Sequence, residues 1–232
     1  MHSSSDVGPA RWTETCVEFT DPHLAALTIY SDPCGTGGVG TTIWDSAHVL
    51  ARYFERCVRE QTLDLTDKHV LELGAGTGLV GLTIARLAPG ARRVTLTDKR
   101  PIIPLLERNV AANASSSACA PLIVQELDWS AVHNTDTDTT YIAPFPPDIV
   151  VASDCIFVPE LYNIFLNALN AVCGPETQVY LALESRDFPT EAKFFAKFGD
   201  AFSFRDIKPH ELDSVWQSED IFVFVATKKP SV

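Results

Sequence analysis

The sequence predicts an α/β fold built on an open, mostly parallel sheet. Three observations carry this. The runs 70–73 and 148–152 are almost wholly apolar, as strands are when helices cover both faces of a sheet. From residue 69 onward, strand-like runs alternate with segments of helical apolar spacing, the pattern of βαβ units. The first of these strands, Val70-Leu71-Glu72-Leu73, runs straight into a glycine-rich turn, Gly74-Ala75-Gly76-Thr77-Gly78, that opens a helix.

Taken in order, residues 1–11 read as disordered and 12–229 as a single domain. The runs 12–20 and 24–30 are β-like and flank Asp21-Pro22, which predicts a hairpin. Gly35-Thr36-Gly37-Gly38-Val39-Gly40 marks either a mobile segment or a close approach of backbone to a ligand. Over 44–60 the residues Ala47, Leu50, Phe54, Cys57 and Val58 recur at helical spacing, and Asp45 sits in the first turn, where the helix dipole favours negative charge. Strand 69–73, helix 79–88, strand 93–97 and helix 101–113 follow, then strands 122–126 and 148–152. Helix 160–172, strand 177–183, helix 190–199 and strands 201–207 and 220–227 complete the chain. No helical pattern separates the last two strands, only 208–219 with Pro209, so they are expected to close the sheet as an antiparallel hairpin. Residues 131–147, with a Thr-Asp run and Pro-Phe-Pro-Pro, form a low-complexity solvent loop.

A formal charge of −12 and a pI near 4.8 argue against nucleic acid as partner, because that affinity comes largely from Lys and Arg neutralising phosphates. Such a chain suits a basic protein surface better, although the charge also serves plain solubility. The six cysteines are scattered, without a Cys-x-x-Cys pair, so neither zinc nor a disulfide framework is expected. His23, His48, His69, His133 and His210 form no metal spacing or triad. No signal peptide or membrane-length apolar run is visible, and a reduced, cytoplasmic monomer is the expectation.

Asp98 follows Gly78 by 20 residues at the end of the 93–97 run, where a carboxylate can accept both hydroxyls of a ribose. An adenosine-containing cofactor is the first inference. A dinucleotide fingerprint, Gly-x-Gly-x-x-Gly, needs its third glycine where Leu79 stands. Here the glycine falls one place early and Glu72 precedes the first by two. A tight turn with no ligand is the plain alternative.

Glu-x-Gly-x-Gly-x-Gly resembles motif I of the seven-strand S-adenosylmethionine-dependent methyltransferases. That resemblance implies a Rossmann-like sheet with S-adenosyl-L-methionine held by Glu72, Gly74, Ala75, Gly76 and Asp98. Three further stretches resemble the protein-lysine methyltransferases of this class: Gly37 to Ala51, the pair Asp128-Trp129, and Ala152-Ser153-Asp154-Cys155-Ile156-Phe157. They imply methyl transfer to a lysine of a protein substrate, an AAA ATPase of the valosin-containing kind or another chaperone. By the same resemblance Trp44 and Ser153 touch the cofactor, Asp128 takes the exocyclic amine and Trp129 lies against the adenine. The departures fall near the acceptor: Phe157-Val158-Pro159 replaces a run beginning with Tyr, and Glu184-Ser185-Arg186 replaces a Glu-Gln-Arg-like run. A small-molecule or nucleic-acid methyltransferase, or an inactive cofactor-binding module, are the rival functions.

Asp154 is the candidate catalytic residue. It ends an apolar strand at the carboxyl edge of the sheet, where a carboxylate can orient an incoming ammonium. It could instead cap the next helix. Phe157 either walls the acceptor channel or belongs to the core, and Trp44 is otherwise an ordinary core tryptophan.

Overall fold

The computed structural model describes residues 12–32, 38–114, 119–132 and 146–230. The expectations for 1–11, for Gly35 to Gly37, for His133 and for most of the 131–147 loop lie outside these residues.

An antiparallel hairpin comes first, β1 (Thr13–Val17) and β2 (Leu27–Ser31). The second strand begins later than its apolar run, because Leu24 is spent closing a turn onto the Asp21 carbonyl. The rest is α1 (Asp45–Arg59), β3 (His69–Leu73), α2 (Leu79–Leu87), β4 (Arg93–Asp98), α3 (Ile103–Asn113), β5 (Leu122–Glu126) and β6 (Ile149–Ser153). Then follow α4 (Tyr162–Val172), β7 (Gln178–Glu184), α5 (Phe188–Ala201), β8 (Phe202–Asp206) and β9 (Ile221–Lys228). The main sheet has seven strands in the order β5-β4-β3-β6-β7-β9-β8. β3 to β7 pair in parallel, while β9 is antiparallel to both β7 and β8. The chain therefore winds outward from β3 to β5, then returns to lay β6 on the other side of β3. That reversal opens a crevice at the carboxyl ends of β3 and β6, where ligands bind in such sheets.

The strand residues alternate between two cores. Val70, Val151 and Tyr180 pack under α1 and α2 with Leu50, Phe54 and Leu82. Leu71, Leu73, Val150 and Leu181 pack under α4 and α5 with Phe165, Phe194 and Phe198. Both faces are thus covered, which is why β3 and β6 are apolar throughout. Truncating Phe194 or Phe198, both fully buried, would cost about 3–5 kcal/mol.

Two asparagines of α3 finish the hairpin. Asn109 accepts the Tyr30 N–H at 2.8 Å and donates to the Tyr30 carbonyl at 2.9 Å. Asn113 repeats this on Thr28, at 2.9 and 2.7 Å. Side-chain amides thereby take the place of a neighbouring strand and satisfy the open edge of β2. Asn109 also donates to the Thr77 carbonyl at 2.8 Å, which ties the hairpin to the glycine turn.

α4 and α5 differ from expectation at their starts. A 3-10 turn, Pro159–Leu161, precedes α4. α5 begins two residues early, since Asp187 caps it through Thr190 and Pro189 fits its first turn.

Candidate active site

The glycine turn leaves β3 with Gly74 and Gly76 at φ +63° and +56°, a conformation that other residues adopt only under strain. It is also packed from both sides. A Cβ on Gly76 would lie 2.9 Å from the Gly40 carbonyl oxygen, and one on Gly74 would lie 2.8 Å from Cys155 Sγ and 2.9 Å from Trp129 Cζ2. Glycine is required here so that three segments can meet.

Two buried carboxylates hold the turn. Glu72 Oε2 accepts the Gly81 N–H of α2 at 2.8 Å. Burial pushes the Glu72 pKa up to about 8; the Gly81 hydrogen bond opposes this and Asp98 adds to it. Asp98, at the end of β4, accepts the Gly76 N–H at 2.8 Å on Oδ2 and the Lys99 N–H at 2.7 Å on Oδ1. Burial raises its pKa, against the pull of those two amides. Each Asp98 oxygen keeps a second lone pair, so the group that anchors the turn retains capacity for a ligand hydroxyl.

Beyond β5, Asp128 Oδ1 accepts from both Ser130 N, at 2.9 Å, and Ser130 Oγ, at 2.7 Å. These bonds hold its pKa below the usual carboxylate value. They also shape a 3-10 turn, Trp129–Ala131. Trp129 is not a bare surface residue: its ring packs on Phe165 of α4 at 5.0 Å between centroids. Its Nε1 is buried with no hydrogen-bond partner among the described residues.

Across the crevice, Trp44 precedes α1 and donates from Nε1 to the Val39 carbonyl at 3.0 Å, pinning the 38–41 turn. Its ring lies partly exposed beneath the Arg186 guanidinium, whose Cζ is 5.2 Å from the ring centroid.

Asp154 follows β6 at φ +50° and is 8% exposed. It does not cap the next helix, which corrects that alternative: Val158 and Leu161 occupy the caps of the following turn and of α4. Instead its Oδ1 accepts the Glu184 N–H at 3.0 Å, bridging the ends of β6 and β7. Arg186 reaches both of its oxygens at 3.4 Å and also pairs with Glu184 Oε2 at 2.7 Å.

One cavity of about 330 Å³ is lined by Trp44, Glu72, Gly74, Ala75, Gly76, Asp98, Asp128, Trp129, Ser153 and Asp154 together. Every candidate site residue is therefore in one place. Phe157 lines it too and is 39% exposed, so it belongs to the cavity wall and not to the core. Sequence reasoning did not single out Thr42, Lys99 or Ile164, nor the function of Gly40 and Arg186, all of which line the cavity. The glycines at 37–40 signalled Gly40; the Glu-x-Arg run after β7 signalled Arg186.

The cavity suits S-adenosyl-L-methionine in its chemistry. The Cβ-free turn allows close approach and Asp98 offers acceptors. Among the described residues no cluster of His, Cys, Asp and Glu could hold a metal ion, and no helix is long and apolar enough to cross a membrane.

Comparison with known proteins agrees. The family model described as "Lysine methyltransferase" matches residues 24–200. EEF1A lysine methyltransferase 3 of Xenopus tropicalis is 32% identical over 195 residues, covering 82% of this chain and 76% of that protein. Protein N-lysine methyltransferase METTL21A of Danio rerio is 31% identical over 194 residues, covering 84% and 80%. Among solved structures, SMU.776 complexed with SAH aligns with a TM-score of 0.57 at 15% identity, over 97% of this chain and 58% of that one. The mitomycin 7-O-methyltransferase MmcR aligns at 0.54 and 12%, over 80% and 53%. At those identities the structures speak for the fold alone. The sequence relatives and the family model go further: this chain belongs to the lysine methyltransferase family and is an S-adenosyl-L-methionine-dependent protein-lysine N-methyltransferase.

Proposed function

We propose that the cavity divides into a cofactor end and an acceptor end. At the cofactor end Asp98 takes the ribose hydroxyls, Trp129 lies against the adenine with Asp128 on its exocyclic amine, and Gly74, Ala75 and Gly76 admit the methionine portion beside Glu72, Trp44 and Ser153. At the acceptor end Asp154, with Phe157 beside it, steers the lysine side chain. The observation that carries this reading is the convergence of all these residues, from five separate stretches of chain, on one cavity at the β3/β6 crevice. The methyl donor supplies an activated sulfonium methyl; what remains for this chain is alignment, which can provide several kcal/mol of the barrier reduction.

The substrate is a folded protein in the cytoplasm. Two relatives are named for EEF1A, and the sequence resemblance points to an AAA ATPase of the valosin-containing kind or another chaperone; EEF1A is the first to test, being the name that sequence identity supports. The experiment is transfer of radiolabelled methyl from S-adenosyl-L-methionine to a protein extract, with the modified site read by mass spectrometry. Label on a lysine of EEF1A supports the reading, label on a chaperone ATPase redirects the substrate, and label on nucleic acid or small molecules alone overturns it.

A further inference from the structure

The acceptor end holds a cation of its own. Arg186 lies over Trp44, is tightly paired to Glu184 at 2.7 Å, and spans both oxygens of Asp154 at 3.4 Å. The two contacts differ in strength. The short Glu184 bond and the Trp44 ring fix the guanidinium in the cavity wall. The longer contacts to Asp154, at 3.4 Å, are weak hydrogen bonds, and its Oδ2 keeps a lone pair for another donor. Among the described residues lining the cavity, the charged or titratable groups are Glu72, Asp98, Lys99, Asp128, Asp154, Cys155 and Arg186, with Glu184 behind the last. Only Arg186 and Lys99 are cations. Lys99 neighbours Asp98, which is placed at the cofactor end, so Arg186 is the cation that an acceptor amine meets at Asp154.

Methyl transfer needs a nitrogen lone pair. The amine forms the new N–C bond as the S–C bond breaks; the bonding electrons leave with sulfur as a neutral thioether, and the positive charge passes to nitrogen. A lysine ammonium has no lone pair to offer, and its ordinary pKa is about 10.4. A lone carboxylate at Asp154 would favour that unreactive form, whereas a fixed like charge disfavours it. We propose that Arg186 is a positioning residue: held on Trp44 and Glu184, it neutralises Asp154 so that this carboxylate receives the acceptor lysine as a neutral amine, its proton having gone to solvent. This rests on the acceptor-end reading above.

The test is the pH dependence of label transfer to lysine in a protein extract, at limiting extract and saturating S-adenosyl-L-methionine, from about pH 6 to about pH 10. Arg186→Gln should move the acid limb upward by about one pH unit, the size expected for a neighbouring charge. Its rate should fall at neutral pH yet approach wild type at the alkaline end, without a rise in the KM for extract protein. Arg186→Lys should restore the wild-type limb. Glu184→Gln, which removes the short ion pair that holds the guanidinium, should move the limb the same way by less, and it decides the matter if Arg186→Gln does not fold. Parallel profiles, lowered equally at all pH values or unchanged, overturn the proposal while leaving the lysine methyltransferase reading intact. Absence of any lysine label with the wild-type chain overturns both.

Discussion

Glu72 receives the N–H of Gly81 at 2.8 Å while 2% exposed, so an acidic side chain stands under the first turn of α2 in the middle of the apolar core. The site is suited to a carboxylate by the helix dipole and unsuited to one by burial. Burial wins: the pKa rises from 4.5 to about 8. A folded pKa above the unfolded one means that the native state keeps a proton the unfolded chain has lost. The stability lost to this group therefore grows as pH rises from about 4.5 to about 8, and levels off above.

Glu72→Gln removes that dependence and keeps an oxygen for Gly81. The variant should melt near wild type at pH 5 and above it at pH 8, where even one unit of the shift is worth about 1.4 kcal/mol. Thermal melts without cofactor across that range check it; a Gln variant that is equally destabilised at both ends would show that the Gly81 bond, and not the charge, is what matters.

Asp98 is the second carboxylate under the turn. Asp98→Ala should weaken S-adenosyl-L-methionine binding by about 1–3 kcal/mol, as loss of a charge-assisted hydrogen bond does. Because Asp98 also holds the Gly76 N–H, the melt without cofactor should fall as well. Asp98→Asn separates the two effects, since its amide oxygen can still accept from Gly76. Calorimetry that finds unchanged cofactor affinity in the Ala variant would remove Asp98 from the ribose site.

Trp129 supports Gly74 on one side and Phe165 on the other, so truncation mixes binding with packing. Trp129→Phe keeps a ring on Phe165 and deletes the orphaned N–H. We expect Trp129→Ala to raise the cofactor dissociation constant about tenfold, and Trp129→Phe to lose less, since an aromatic contact is worth ~0.5–1.5 kcal/mol beyond its area. A Trp129→Ala variant that binds cofactor as wild type would confine the residue to packing.

The fold was legible because its signals are local. β3 and β6 show two-sided burial as unbroken apolar runs, and the glycine turn declares itself by residues that no other backbone position needs. The site was legible at Asp98 for the same reason, a carboxylate at a fixed distance past a strand. What spacing could not show is pairing across the crevice. That Asp154 bridges to the Glu184 amide, that Arg186 rests on Trp44, and that Gly40 abuts Gly76 all depend on segments brought together by the sheet order. Asn109 and Asn113 were silent for a similar reason: in sequence they are ordinary helix residues, and only the hairpin edge beside them reveals a second use.

Asp154 sits in the left-handed region at φ +50°, and this decides how it should be mutated. Asn tolerates that conformation nearly as well as Asp, whereas Ala does not. Asp154→Asn also keeps an oxygen for the Glu184 N–H, and Arg186 remains held by Glu184. The Asn variant should therefore fold, melt within a few degrees of wild type and bind cofactor within a few-fold, while losing most of its methylation rate, because with its oxygen kept on Glu184 it turns an N–H donor, in place of an accepting oxygen, toward the acceptor amine. Asp154→Ala should lose activity and, in addition, about 1–3 kcal/mol of stability, through backbone strain and the unsatisfied amide. Rates measured on a protein extract alongside melts of both variants distinguish the roles. An Asn variant with full activity, paired with an unstable Ala variant, would make Asp154 a bridge between β6 and β7 and nothing more, and would move the search for the acceptor's partner to Glu184.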